Sequence, residues 1–139
     1  MYTNSVAYGF IQDSPDAIAP LGEAERYRHN RLHLLELPSF SRELLIYREM
    51  FNVLPQAAEQ QPGVSFIHFG VGSEGLEYEW NQWLFEFESL LRNLIWTKAT
   101  VHLESDMRGV HVIQWDCQDN VHLPGESFSE ARCSWSRDV

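Results

Sequence analysis

No stretch between Met1 and Val139 approaches the run of about 20 consecutive apolar residues that a membrane-spanning helix needs. That absence argues against a helical membrane protein. The opening residues, MYTNSVAYGF, lack a basic flank followed by a long apolar segment. They do not read as a secretory signal, and a cytoplasmic location is expected. Cysteine is scarce, with Cys117 and Cys133 the only two. In a chain able to build its own core, two cysteines read as free thiols and not as a disulfide framework. Basic side chains are also few: 10 Lys and Arg stand against 20 Asp and Glu, a formal charge of −10. A field of that sign repels phosphate backbones and anionic membranes and attracts basic partners. Nucleic acid and membrane surfaces are therefore set aside as ligands.

What is present suits one domain. A chain of 139 residues buries roughly two-thirds of the surface its unfolded form exposes. Five Trp, five Tyr and eight Phe supply ample core material, so no metal or disulfide staple is needed.

Along the chain, Val6 to Ile11 is short, aromatic and β-branched, and QDSPD after it is turn chemistry, which together read as a first strand. Gly22 to about Leu37 is rich in helix formers and closes at Pro38. Ser41 is placed to cap a second short helix over RELLIYREMF. NVLPQAAEQQPG reads as a surface loop, and Val64 to Gly70 as a second, largely buried strand. From Trp80, a step of about 100° per residue gathers Trp83, Leu84, Phe87, Leu90, Leu91, Leu94 and Ile95 into one apolar stripe, which marks the main core helix. Ala99, Val101 and Leu103 alternate with polar residues, Ser105 to Gly109 supplies a turn, and VHVIQW resumes extended character. A β-hairpin is predicted there. The expected fold is α+β, a single sheet of about four strands in the order β-α-α-β-α-β-β with the helices on one face. Residues 1–117 form the domain, and 118–139 form a polar tail docked on it.

The most suggestive motif is Gly70-Val71-Gly72-Ser73-Glu74-Gly75. It resembles the G-x-G-x-x-G dinucleotide-binding fingerprint, sits between a strand-like and a helix-like run, and has Glu104 at the end of the following strand. The resemblance implies a small-molecule or nucleotide-binding enzyme with Gly70, Gly72 and Gly75 against a pyrophosphate. Against that, Glu77 and Glu79 place negative charge in the first helical turn, where they already complement the helix dipole. The acid also falls further along than the usual interval of about 20 residues. A structural turn feeding the helix is the stronger reading.

His68, His102 and His111 fall on three predicted strands and are the candidate metal ligands. No compact ligand spacing supports them, and a register shift of one residue would send His111 to the other face. The basic run Arg26 to His33 is read as paired internally with Glu23, Glu25 and Glu36. Neither cysteine carries a nucleophile signature, and there is no G-x-S-x-G. No catalytic residue, cofactor or metal is assigned.

The same angular count turns Tyr78, Phe85 and Trp96 away from the core stripe, with Ser89 and Arg92 beside them and Glu86 and Glu88 on the flanks. Burial under another segment is one outcome for these rings. An aromatic contact patch with an acidic surround is the other. The leading functional reading is a non-enzymatic binding protein that holds a basic protein partner through Glu77, Tyr78, Phe85, Glu88, Arg92 and Trp96. In size, charge and aromatic content it is similar to the small acidic immunity or inhibitor proteins of bacterial toxin systems. A homodimer or larger homo-oligomer burying the aromatic back face is the third reading.

Overall fold

The computed structural model describes residues 4–14, 21–52, 66–118, 120–127 and 132–138. Within them the chain is α+β, with one antiparallel sheet of six strands and two α-helices. β1 (Asn4–Gln12) leads to α1 (Glu23–Leu35), β2 (Phe51–Asn52) and β3 (Phe66–Glu74). Then come α2 (Trp80–Leu91), β4 (Lys98–Ser105), β5 (Gly109–Asp116) and β6 (Arg132–Asp138). Their order across the sheet is β2-β3-β1-β4-β5-β6. The expected sheet of about four strands is thus enlarged at both edges.

β3 and β4 both pair antiparallel with β1, so they run parallel to each other, and parallel strands need a crossover connection. α2 supplies it and lies over the middle of the sheet. Cross-strand pairing fixes which side it covers. Ala7 stands opposite Val71 and Leu103, and Ile11 opposite Ile67 and Ala99. On β5, Trp115 extends the second row from Ala99, and Ile113 stands opposite Val101 on the same face. Onto this face α2 lays Trp83, Phe87, Leu90 and Leu91, all buried. The Phe87 ring lies 5.0 Å from Phe69 and 5.5 Å from Trp115. The 3.6-residue period therefore identified the stripe correctly. The helix itself stops at Leu91, however, and Leu94 and Ile95 are buried beyond its end.

α1 packs on the same face through Arg26, Tyr27, Asn30 and Leu34, residues spaced to recur on one side of a helix. The Asn30 amide donates to Ile95 O at 2.7 Å, and its carbonyl accepts from Ile95 N at 2.8 Å. One side chain thereby joins α1 to the segment leaving α2. The basic run behaves differently from expectation at its first member. Arg26 is 3% exposed, and its Nε donates to Asp13 Oδ2 at 2.6 Å instead of pairing with glutamates of its own helix.

The predicted helix over 42–51 is also corrected. Only a 3₁₀ turn at Arg48–Met50 forms, followed at once by β2. Arg48 N donates to Pro38 O and Arg48 Nε to Leu37 O, so this backbone bonds to the preceding segment and not along a helical ladder. Phe51 then pairs with Phe69. Most of the loop expected over 52–63, and Val64 with it, lies outside the described residues.

The hairpin is as the turn residues indicated: Ser105 pairs with Gly109, which takes a positive φ of 72°, the left-handed position that closes a three-residue loop. The segment expected as a docked polar tail contains a strand. Residues 132–138 pair along the whole of β5 as β6, and His122 forms an isolated bridge with Trp96. Phe128 lies outside the described residues. Cys117 is buried, Cys133 is exposed, and neither is in a disulfide. Among the described residues no helix is long and apolar enough to cross a membrane.

Candidate functional site

The glycine motif is not a loop. Gly70 and Gly72 are residues of β3, paired with Tyr8 and Val6 of β1. A Cβ on Gly72 would meet a Val6 methyl at 3.1 Å, so the missing side chain makes room across the strand pair. Only Gly75 turns, with φ of 80°, and a 3₁₀ turn at Leu76–Glu79 separates it from α2. The amides that a phosphate would require are already engaged. Glu77 N donates to Ser5 Oγ at 3.0 Å and Tyr78 N to Gly75 O at 3.0 Å. The resemblance to a nucleotide fingerprint is thereby corrected: the motif alternates with the pleat of a strand.

The three histidines are separated by the same two-residue period. His102 pairs with Val112 and His111 with Leu103, so His111 points to the helix-covered face and His102 to the other. His102 stacks on Tyr8 at 4.8 Å, and His68 sits on the same open face beside Phe10 and Phe66. The Tyr8 hydroxyl donates to Glu104 Oε1 at 2.5 Å. That bond, with some burial, raises the phenol above its ordinary range. Among the described residues no group of His, Cys, Asp and Glu is placed to hold a metal ion.

Of the residues proposed as a contact patch, the structure brings four to the surface. Tyr78 and Phe85 are 65% and 66% exposed. Arg92 is exposed and Glu88 half-buried on the same side of α2. Trp96 does not join them. It is 0% exposed, donates from Nε1 to Leu91 O at 2.8 Å and stacks on His122 at 5.0 Å. Because α2 ends at Leu91, an angle extrapolated from Trp80 has no meaning five residues later. Glu77 is likewise internal, 2% exposed, and accepts from Ser105 Oγ at 2.7 Å. It belongs to a 3₁₀ turn, whose step is about 120° per residue.

Ser5, Glu77 and Ser105 form a polar lock between the start of β1, the 3₁₀ turn and the β4–β5 hairpin. Ser5 Oγ donates to Ser73 O at 3.1 Å while accepting from Glu77 N, and Arg108 N donates to Ser105 Oγ at 2.9 Å. Ser5→Ala should cost about 1–2 kcal/mol, because the buried Glu77 amide then has no acceptor. Urea unfolding checks it, and an unchanged midpoint would remove Ser5 from the lock.

Glu77 of this lock lines a pocket of about 330 Å³. Glu77 lies beneath it, the rings of Tyr78, Trp80 and Trp135 line its sides, and Arg108 and Arg137 reach it from the hairpin turn and from β6. The Arg108 guanidinium stands over the Trp80 ring at 5.9 Å and 3.9 Å from the Glu77 carboxylate. His111 is fastened within the wall: Trp135 Nε1 donates to its Nδ1, and its Nε2 faces Arg108 O, each at 3.0 Å. Sequence reasoning did not find this pocket, because its parts come from the 3₁₀ turn, the start of α2, the β4–β5 hairpin and β6, the last of them the strand hidden in the supposed tail.

Comparison with protein-family models, with curated proteins and with solved structures found no match.

Proposed function

We propose that the protein is a non-enzymatic binding module that docks a basic protein partner on the outer side of α2, in the manner of an immunity or inhibitor protein. The observation that carries this reading is the pair of rings at Tyr78, in the 3₁₀ turn, and Phe85, on α2, each about two-thirds exposed. Large exposed aromatics are what interface hot spots are made of. Glu79 is exposed beside them, and Glu86 and Glu88 are half-buried on the flanks. On a chain with a formal charge of −10, these carboxylates steer a cationic partner toward the rings. Arg92 at the far end offers a directional contact for a carboxylate of the partner.

The test is affinity capture followed by calorimetry on the partner obtained. Tyr78→Ala and Phe85→Ala should each weaken binding by about 30-fold, the loss of about 2 kcal/mol that defines a hot spot. Affinity should also fall with added salt. A double variant that folds and binds like the parent would show the surface to be wrong. Light scattering covers self-association: a dimer dissociated by the same two substitutions would make a second copy of the chain the partner.

A further inference from the structure

We propose that the pocket between the 3₁₀ turn, the first turn of α2, the β4–β5 hairpin and β6 is a binding site for a small aromatic carboxylate, adjoining the docking face at Tyr78. Its charge runs against that of the molecule. The chain as a whole carries −10, yet two guanidinium groups, Arg108 and Arg137, meet at this pocket against one carboxylate, Glu77. Glu77 is already held by the Ser105 hydroxyl, with Arg108 3.9 Å away. Arg137 has no hydrogen-bond or ion-pair partner among the described residues. It is exposed on the edge strand and paired across from His111. An anion seated here would find one uncommitted guanidinium, and Arg is the side chain best shaped to grip a carboxylate with two parallel bonds.

The walls define the rest of the ligand. Trp80 and Trp135 both line the pocket, and each contacts His111, at ring separations of 5.5 and 5.9 Å. A flat ring fits against the exposed Trp135 indole next to Arg137, where aromatic pairs settle into stacked or edge-on arrangements. The volume of about 330 Å³ is at the low end for small-molecule sites, roughly 300–1,000 Å³, so the ligand is compact.

Aromatic walls with a glutamate are also what a quaternary ammonium seeks. Here that place is taken by the protein itself, since Arg108 stands over Trp80 and near Glu77. A cationic ligand would have to displace it and then face Arg137. The anion is therefore the better occupant.

Three probes decide the matter by heteronuclear NMR of the indole N–H signals, with Trp80 assigned through Trp80→Phe. 2-Naphthoate should shift the Trp80 and Trp135 signals saturably, with a dissociation constant of about 1 mM or tighter. Its neutral amide, 2-naphthamide, should bind about tenfold more weakly, and benzyltrimethylammonium more weakly still. Arg137→Gln should weaken naphthoate binding about tenfold at an unchanged melting temperature, and Arg108→Gln gives a second reading should Arg137→Gln fold poorly. The proposal fails if naphthoate gives no saturable shift, if the amide or the ammonium binds as well as the acid, or if both arginine variants bind like the parent. Tyr78 lines this pocket as well as the docking face, so the docking face is tested separately by Phe85→Ala, at a residue outside the pocket.

Discussion

Arg26→Ala is expected to destabilise the protein by about 3–5 kcal/mol, the usual loss when one member of a buried ion pair is removed. A thermal scan should show a fall on the order of 10–20 °C for a chain of this size. The cause is geometric. Arg26 joins the first turns of α1 to the end of β1 through Asp13 at 2.6 Å, and its Nη1 donates to Leu21 O at 2.8 Å. Truncation leaves the Asp13 carboxylate buried and uncompensated. The double variant Asp13→Leu, Arg26→Met removes both charges and should recover much of the loss, since hydrophobic replacement of buried pairs is often neutral. Equal damage from the single and double variants would show that packing around Arg26, and not its charge, holds α1 in place.

The same pair makes a statement about pH. Burial raises the Asp13 carboxyl above its ordinary value, and Arg26 acts in the opposite direction by hydrogen bond and charge. Without Arg26 only the rise remains. A carboxyl raised in the folded state contributes stability below its unfolded value of about 3.9, and that contribution is lost as pH climbs through the folded value. The deficit of Arg26→Ala relative to the parent should therefore be smaller near pH 3.5 than at pH 7. Denaturant midpoints measured at both pH values check it.

Particular residues show how far the sequence carried the fold. The α2 stripe was legible because its apolar residues repeat at the helical period over three turns, and Phe69 and Trp115 of the sheet wait opposite. The hairpin was legible because Gly109 supplies the positive φ its turn requires. β6 was not, because Cys133, Trp135 and Arg137 present no apolar row and the strand lies at the sheet edge. β2 is two residues long, too short for any period to register. The glycine motif was ambiguous because G-x-G satisfies both a phosphate loop and a strand whose small residues face Tyr8 and Val6. Only the cross-strand partners separate those cases. Exposure was legible where the helix is regular, at Phe85, and misjudged at Glu77 and Trp96, which lie in the 3₁₀ turn before α2 and beyond its end.

Trp96 and Phe85 give the sharpest contrast, since the angular count placed both on one surface. Trp96→Ala is expected to cost about 3–5 kcal/mol, the range for deleting a buried aromatic side chain. The ring is fully enclosed, its Nε1 closes on Leu91 O just past the end of α2, and its face meets His122. His122 in turn holds the C-terminal connection, with ring nitrogens 3.0 Å from Leu94 O and 2.9 Å from Glu126 O. The backbone bridge between the two residues, His122 N to Trp96 O at 2.8 Å, loses the packing around it once the indole is gone. Residues 120–127 should then detach before the sheet unfolds, visible as early loss of amide protection at His122 in hydrogen exchange. Phe85→Ala should change stability by no more than about 0.5 kcal/mol, as an exposed substitution does, while removing the ring the docking face depends on. If Trp96→Ala instead melts like the parent, the indole is not part of the core, the segment from Leu91 to Thr97 must run differently, and Trp96 returns to the list of surface aromatics available to a partner.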